Sequence, residues 1–136
     1  MVGLWIRTWH EDKEISPGVP DLSYVMLGGT FETGWIELKA ENESKWVKFR
    51  IEPSQHQWIR NHHNLIPVHF LVAVGDDWYL IPGNCHEELA KKMSKLDLAE
   101  MAVYHARYPL TTGATLDLVH LLKSFTGRVN GNFQRV

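Results

Sequence analysis

Cysteine is almost absent. Cys85 is the only one in 136 residues, so an internal disulfide is impossible and a zinc cluster built on cysteine has no ligands. No stretch is long and apolar enough to cross a bilayer, which takes about 20 consecutive apolar residues, so no membrane association is expected. Met1 to His10 is short and carries Arg7 and His10, unlike a secretory leader, and a cytoplasmic location is the expectation. There is no internal repeat and no low-complexity segment. Net charge is small too. The net value of −2 argues against a surface that grips nucleic acid everywhere, but the distribution is uneven. Residues 101–136 carry +3, from Arg107, Lys123, Arg128 and Arg135 against Asp117, and the rest carries −5. Ordinary surface variation produces the same asymmetry. A metal centre would account for part of the acidic excess, because the cation neutralises it.

What is present is an ordinary globular composition, 44% hydrophobic and 22% charged, in a chain long enough for one domain with a real core. The most informative stretch is Pro17 to Lys39, PGVPDLSYVMLGGTFETGWIELK. Pro20 biases Val19 towards an extended conformation, and Gly18 frees the turn before it. Asp21 therefore stands at the mouth of a strand. Leu22 to Leu27 is apolar and aromatic apart from Ser23, Gly28-Gly29-Thr30 is a turn signal, and Gly34 to Ala40 is the return strand. Folding the hairpin about Gly29-Thr30 places Leu22 roughly opposite Glu37, within a residue or two. Alternation puts Trp35, Glu37 and Lys39 on one face and Ile36, Leu38 and Ala40 on the other.

Two carboxylates and a lysine so placed fit metal-dependent hydrolysis of a phosphodiester. Hard oxygen donors hold Mg²⁺ or Mn²⁺, and the bound ion polarises the phosphoryl oxygen and activates water. Asp21, Glu37 and the Leu38 carbonyl are the candidate ligands. Lys39 is the candidate for positioning or helping deprotonate the nucleophile. Each piece alone is common: Glu-x-Lys occurs on many strands, and Pro-Asp is ordinary turn chemistry.

GVPDL, then WIELK about fifteen residues on, then a helix opening SQHQW, together resemble the VRR-NUC branch of the PD-(D/E)XK nuclease superfamily. The likeness spans about Pro17 to Ile81 and is nearest to the short, stand-alone, phage-type members. It implies a restriction-endonuclease-like fold, a viral or bacterial origin, a metal-binding Asp at Asp21, a metal-binding Glu at Glu37, and a catalytic Lys at Lys39. It also implies a helix-borne Gln at Gln55, which by itself reads as an exposed polar residue. Larger relatives carry a further acidic ligand on an N-terminal helix. This chain has little room for one before Asp21; Glu11 and Glu14 are the candidates, Glu11 favoured by its distance from Asp21, and both also read as solvated surface charges.

The remaining elements follow from pattern. Residues 4–9 (LWIRTW) read as a first strand. Trp46 to Ile51 alternates, with Trp46, Lys48 and Arg50 on one face and Val47, Phe49 and Ile51 on the other. That face reads either as a basic edge suited to a phosphate backbone or as a small edge strand. Glu52-Pro53-Ser54 opens a helix running to about His63, anchored by Trp58 and Ile59. His62, His63 and His69 lack Cys or acidic partners at zinc-like spacing and read as solvated or stacking side chains. His69 to Val74 is a central strand, parallel to the Glu37 strand through the intervening helix. Asp76 and Asp77 serve a turn before the strand Trp78 to Ile81. Asn84 is expected to cap a helix from Cys85 to about Lys95, Leu96 to Tyr104 is expected to be helical, and Leu116 to Phe125 is expected to form a last amphipathic helix.

The expected architecture is an α/β (α+β) restriction-endonuclease-like core with a central mixed sheet flanked by helices over 1–83. A helical extension over 84–136 packs on that core or forms a dimer interface. The expected activity is a Mg²⁺- or Mn²⁺-dependent DNA endonuclease acting on branched, flapped or four-way-junction DNA, in the manner of a Holliday junction resolvase. A homodimer is expected, by analogy with small relatives. The rival classes are an inactive DNA-binding module with the nuclease fold and a scaffold protein using a tryptophan-rich surface. No base-reading element is visible.

Overall fold

The structure is a computed structural model, and it describes residues 3–8, 17–27, 31–109 and 113. Glu11, Glu14 and the helix expected over 116–125 lie outside the described residues. Six strands form one sheet in simple chain order: β1 (Gly3–Thr8), β2 (Leu22–Leu27), β3 (Phe31–Glu41), β4 (Val68–Val74), β5 (Asp77–Pro82) and β6 (Tyr104–Arg107). Neighbours are antiparallel except β3 and β4, which run parallel. The helix α1 (Pro53–His62) lies between β3 and β4 in sequence and supplies the crossover that a parallel pair requires. The fold is therefore α+β, a mixed sheet with helices packed against it, as expected of a restriction-endonuclease-like core.

The β2–β3 hairpin pairs Leu22 with Ile36 and Tyr24 with Gly34. This register is one residue away from the expected pairing of Leu22 with Glu37. The reason is steric. Tyr24 is 1% exposed and its ring lies across Gly34, where any Cβ would overlap the phenol. A bulky ring seated on a cross-strand glycine sets the register.

The main core fills one face of the sheet. Phe70, Val72 and Val74 of β4 and Ile81 of β5 are completely buried, and Val47, Phe49, Ile59, Leu89, Met93 and Leu98 pack against them. A smaller cluster of Tyr24, Ile36 and Leu80 occupies the other face. Trp58 on α1 meets Trp35 on β3 edge-to-face at 5.5 Å, which docks the helix onto the strand that carries Glu37 and Lys39.

Beyond β5 the helix expected from Cys85 to about Lys95 is cut to a single turn, and the one expected over Leu96–Tyr104 is present but ends at Met101. A 3₁₀ turn (Gly83–Cys85) leads into the single-turn α2 (His86–Leu89), and a separate helix α3 (Lys95–Met101) follows. Asn84 caps neither. Ser94 caps α3, accepting from the Asp97 N–H at 3.2 Å while the Asp97 carboxylate accepts from the Ser94 N–H at 2.9 Å. The α2 helix ends at Leu89, and Met93 beyond it exchanges two backbone hydrogen bonds with Val47 (2.8 and 2.9 Å). Trp46–Ile51 makes only this isolated bridge and is not a strand, although its alternation holds: Val47 and Phe49 are buried, and Trp46, Lys48 and Arg50 are exposed. Tyr104 does not extend a helix but begins β6, an added edge strand on β5. Among the described residues no helix is long and apolar enough to cross a membrane.

Candidate active site

Four side chains singled out in the sequence come together at one end of α1, beside the middle of β3. Asp21 reaches across from the mouth of β2. Its Oδ2 accepts a hydrogen bond from the Leu38 N–H at 2.9 Å, which holds the carboxylate against the peptide joining Glu37 to Leu38. Glu37, on the helix-covered face of β3, is 3% exposed, and its Oε2 accepts from Gln55 Nε2 at 3.0 Å. Gln55 is also buried, in the first turn of α1. Its Oε1 accepts from Lys39 Nζ at 3.0 Å and from the Glu52 N–H at 2.9 Å. Gln55 is thus the junction of the site, with its amide NH₂ on the carboxylate and its oxygen on the ammonium. Only this orientation of the amide satisfies all three partners. Lys39 Nζ donates a second bond to the Arg50 carbonyl at 2.7 Å.

The local sequence explains each placement. Glu37 and Lys39 are two apart on a strand and share a face. Gln55 is the third residue after the Glu52 cap, so its side chain folds back on the cap N–H in half of a capping box. Gly18 brings Asp21 within reach. It adopts φ +80°, and a Cβ there would overlap the Ser54 carbonyl and sit 2.9 Å from the Gln55 nitrogen. The turn before Asp21 therefore lies directly on the N-terminus of α1, with Pro20 fully buried beneath it. Arg50 is turned outward and paired with Glu52, Nε to Oε1 at 2.7 Å.

The oxygen donors are of the right kind for a hard divalent cation: two carboxylates and the neighbouring Leu38 carbonyl. Mg²⁺ takes one or two protein carboxylates and fills its remaining positions with water and phosphate oxygens. Among the described residues no group of three or more His, Cys, Asp or Glu side chains forms a cage. The donor set present fits an ion that keeps open positions for water and phosphate oxygens.

Three features escaped the sequence reading. The Arg50 carbonyl as a partner of Lys39 carries no sequence signal. Gly18 as a packing residue was legible only as a turn former. The third is a histidine pair at the next position of α1. His56 Nδ1 and His86 Nδ1 are 2.5 Å apart, so one ring donates and the other accepts. Burial lowers the pKa of both; Arg60 and Lys39 lower His56 further, and His56 itself lowers His86. Thirty residues separate the two, and no spacing rule could have joined them. Of the other histidines, His62 stacks on Trp58 at 4.0 Å and hydrogen-bonds its carbonyl, the stacking role expected of it. His69 is buried within β4. Asp77 does more than serve a turn: it is buried at the start of β5 and holds Lys95 and His105.

A scan against protein-family models finds no match, and a search of curated proteins finds none either.

Proposed function

We propose that this chain is a metal-dependent DNA endonuclease of the PD-(D/E)XK type, related to the VRR-NUC branch, that hydrolyses a phosphodiester with Mg²⁺ or Mn²⁺. The observation that carries the reading is the Glu37–Gln55–Lys39 chain of hydrogen bonds with Asp21 held at the Glu37–Leu38 peptide. Four residues named from the sequence for one chemistry meet in one place, and a merely decorative surface has no need to bury a Glu and a Gln together. Asp21 and Glu37, with the Leu38 carbonyl, would hold the ion, which when bound supplies charge neutralisation and an acidified water. Gln55 orients Glu37 and keeps Lys39 beside it. Two of the three Lys39 N–H donors are committed to Gln55 and Arg50, which aims the ammonium and leaves the third for an attacking water or a phosphate oxygen.

Branched, flapped or four-way-junction DNA is the proposed substrate, and a homodimer the proposed working form, since two-fold symmetry would present two sites to a junction. The test is cleavage of labelled linear, flapped and four-way-junction DNA with Mg²⁺ or Mn²⁺ by the native chain, Lys39→Ala and Asp21→Ala. The native chain is expected to cut, with Lys39→Ala slower by about 10²–10³-fold. Absence of cutting on every substrate with both metals overturns the reading. DNA binding without cleavage would then identify an inactive binding module, and no DNA binding would leave a scaffold.

A further inference from the structure

The segment leading into the candidate site has an outward face that the chemistry above does not use. Val47 and Phe49 are 5% and 2% exposed and anchor the segment to the core. The residues between and beside them, Lys45, Trp46, Lys48 and Arg50, are therefore held outward. Trp46 is 49% exposed, an unusual position for the largest apolar side chain. The bridge between Val47 and Met93 brings a second chain segment alongside, and Lys92 Nζ lies 5.8 Å over the Trp46 ring, with exposed Lys91 next to it. The nearby acid Glu43 is engaged by Lys95. At its far end the strip reaches the site, because the Arg50 carbonyl is the acceptor for Lys39.

We propose that Lys45, Trp46, Lys48 and Lys92 form a track for an unpaired nucleic-acid strand, with Trp46 stacking on an exposed base and the lysines following the phosphates, while Arg50, paired with Glu52, marks the end that meets the site. The track rests on the phosphodiesterase reading of the neighbouring site only for the direction in which the strand runs. The physical argument is the combination. Cations alone serve any polyanion, including duplex DNA or an acidic protein. An exposed indole among them adds a π-face that duplex DNA, with its bases stacked inside, cannot use and that an unpaired base can. A fully extended chain from Trp46 to Arg50 would cover about 13 Å, enough to separate a stacked base from the bond presented to Lys39. A flap or branch point supplies such a strand beside a duplex.

The test measures binding of the full chain to a labelled oligodeoxythymidine and to a blunt duplex, without divalent metal so that nothing is cut. Trp46→Ala is expected to weaken the single strand by about 5- to 150-fold and to leave the duplex nearly unchanged, while Trp46→Phe keeps most of the affinity. Lys48→Ala and Lys92→Ala are each expected to lower the slope of log affinity against log salt by about 0.7 on the single strand. Circular dichroism of each variant guards against misfolding, and the retained ring of Trp46→Phe controls for loss of packing. Equal single-strand affinity of Trp46→Ala and the native chain overturns the track, as does a native chain that binds no strand, or one that binds polyglutamate as tightly as the oligonucleotide. The two proposals separate cleanly. A chain that binds through Trp46 but never cuts keeps the track and loses the nuclease; one that cuts but ignores Trp46→Ala does the reverse.

Discussion

Gln55 shows how much one side chain can do when it is buried with its partners. It satisfies a carboxylate, an ammonium and a cap N–H at once. Gln55→Leu keeps the size but leaves Glu37 without that donor and the Glu52 N–H without its acceptor. The expected cost is about 1–3 kcal/mol of stability in urea denaturation, with cleavage falling as well. Gln55→Glu should abolish cleavage more completely, since it places a second negative charge against Glu37. The residue was identifiable in the sequence as the third position after a helix cap. A place beside the site was what the resemblance implied for it; its hydrogen-bond partners Glu37 and Lys39 lie 18 and 16 residues back, and no local pattern names them. The neighbouring His56–His86 pair gives a pH prediction. Both rings have folded-state pKa values below the ordinary histidine value of about 6.5, so below that pH the unfolded chain binds more protons than the folded one. Stability should therefore fall as pH drops from about 6.5. Replacing His86 by Phe should flatten that dependence in thermal melts recorded between pH 7.5 and 5.

At the level of elements, the informative cases are those where the pattern was right and the partner wrong. Leu89 and Met93 stand at helical spacing, yet only Leu89 belongs to a helix, and Met93, beyond its end, bonds Val47. Trp46–Ile51 alternates as a strand would, yet alternation needs only one buried face and not a ladder of hydrogen bonds. The turn at Gly18 is a third case. Gly18→Ala must bear a positive φ and a clash with the Ser54 carbonyl, which together exceed the roughly 1 kcal/mol of the conformational effect alone. The turn is expected to lift from α1 and take Asp21 with it, so the variant should lose metal-dependent stabilisation as well as intrinsic stability. Calorimetry with and without Mn²⁺ separates the two. The Ser94 cap offers a milder test: Ser94→Ala should cost about 1 kcal/mol and leave binding and cleavage unchanged.

For the whole molecule, the sheet is extended past its expected end and tied there by charge. β6 pairs with β5, and Asp77 at the start of β5 joins Lys95 on α3 to His105 on β6. The Lys95 hydrogen bond holds the Asp77 carboxyl below the usual carboxylate range, and the same contact raises Lys95. Because the folded-state value is depressed, the stabilisation is present above the unfolded carboxylate value of about 3.9 and is lost as pH falls below it. Asp77→Asn should cost about 1.5–3 kcal/mol near neutrality and much less at pH 3, measured by urea denaturation at both. The amino-acid sequence by itself determined the β2–β3 hairpin, the face shared by Glu37 and Lys39, the start of α1, the buried β4 and the mixed sheet. Each of these follows from local periodicity or from a residue with a restricted backbone. Tertiary structure decided the one-residue register, through Tyr24 against Gly34, and the docking of Gln55 and the Arg50 carbonyl onto the Glu37 and Lys39 side chains of β3. It also decided the histidine pair and the joining of Trp46 to Lys92. Those contacts depend on how distant segments pack against one another, and no short-range pattern encodes that packing.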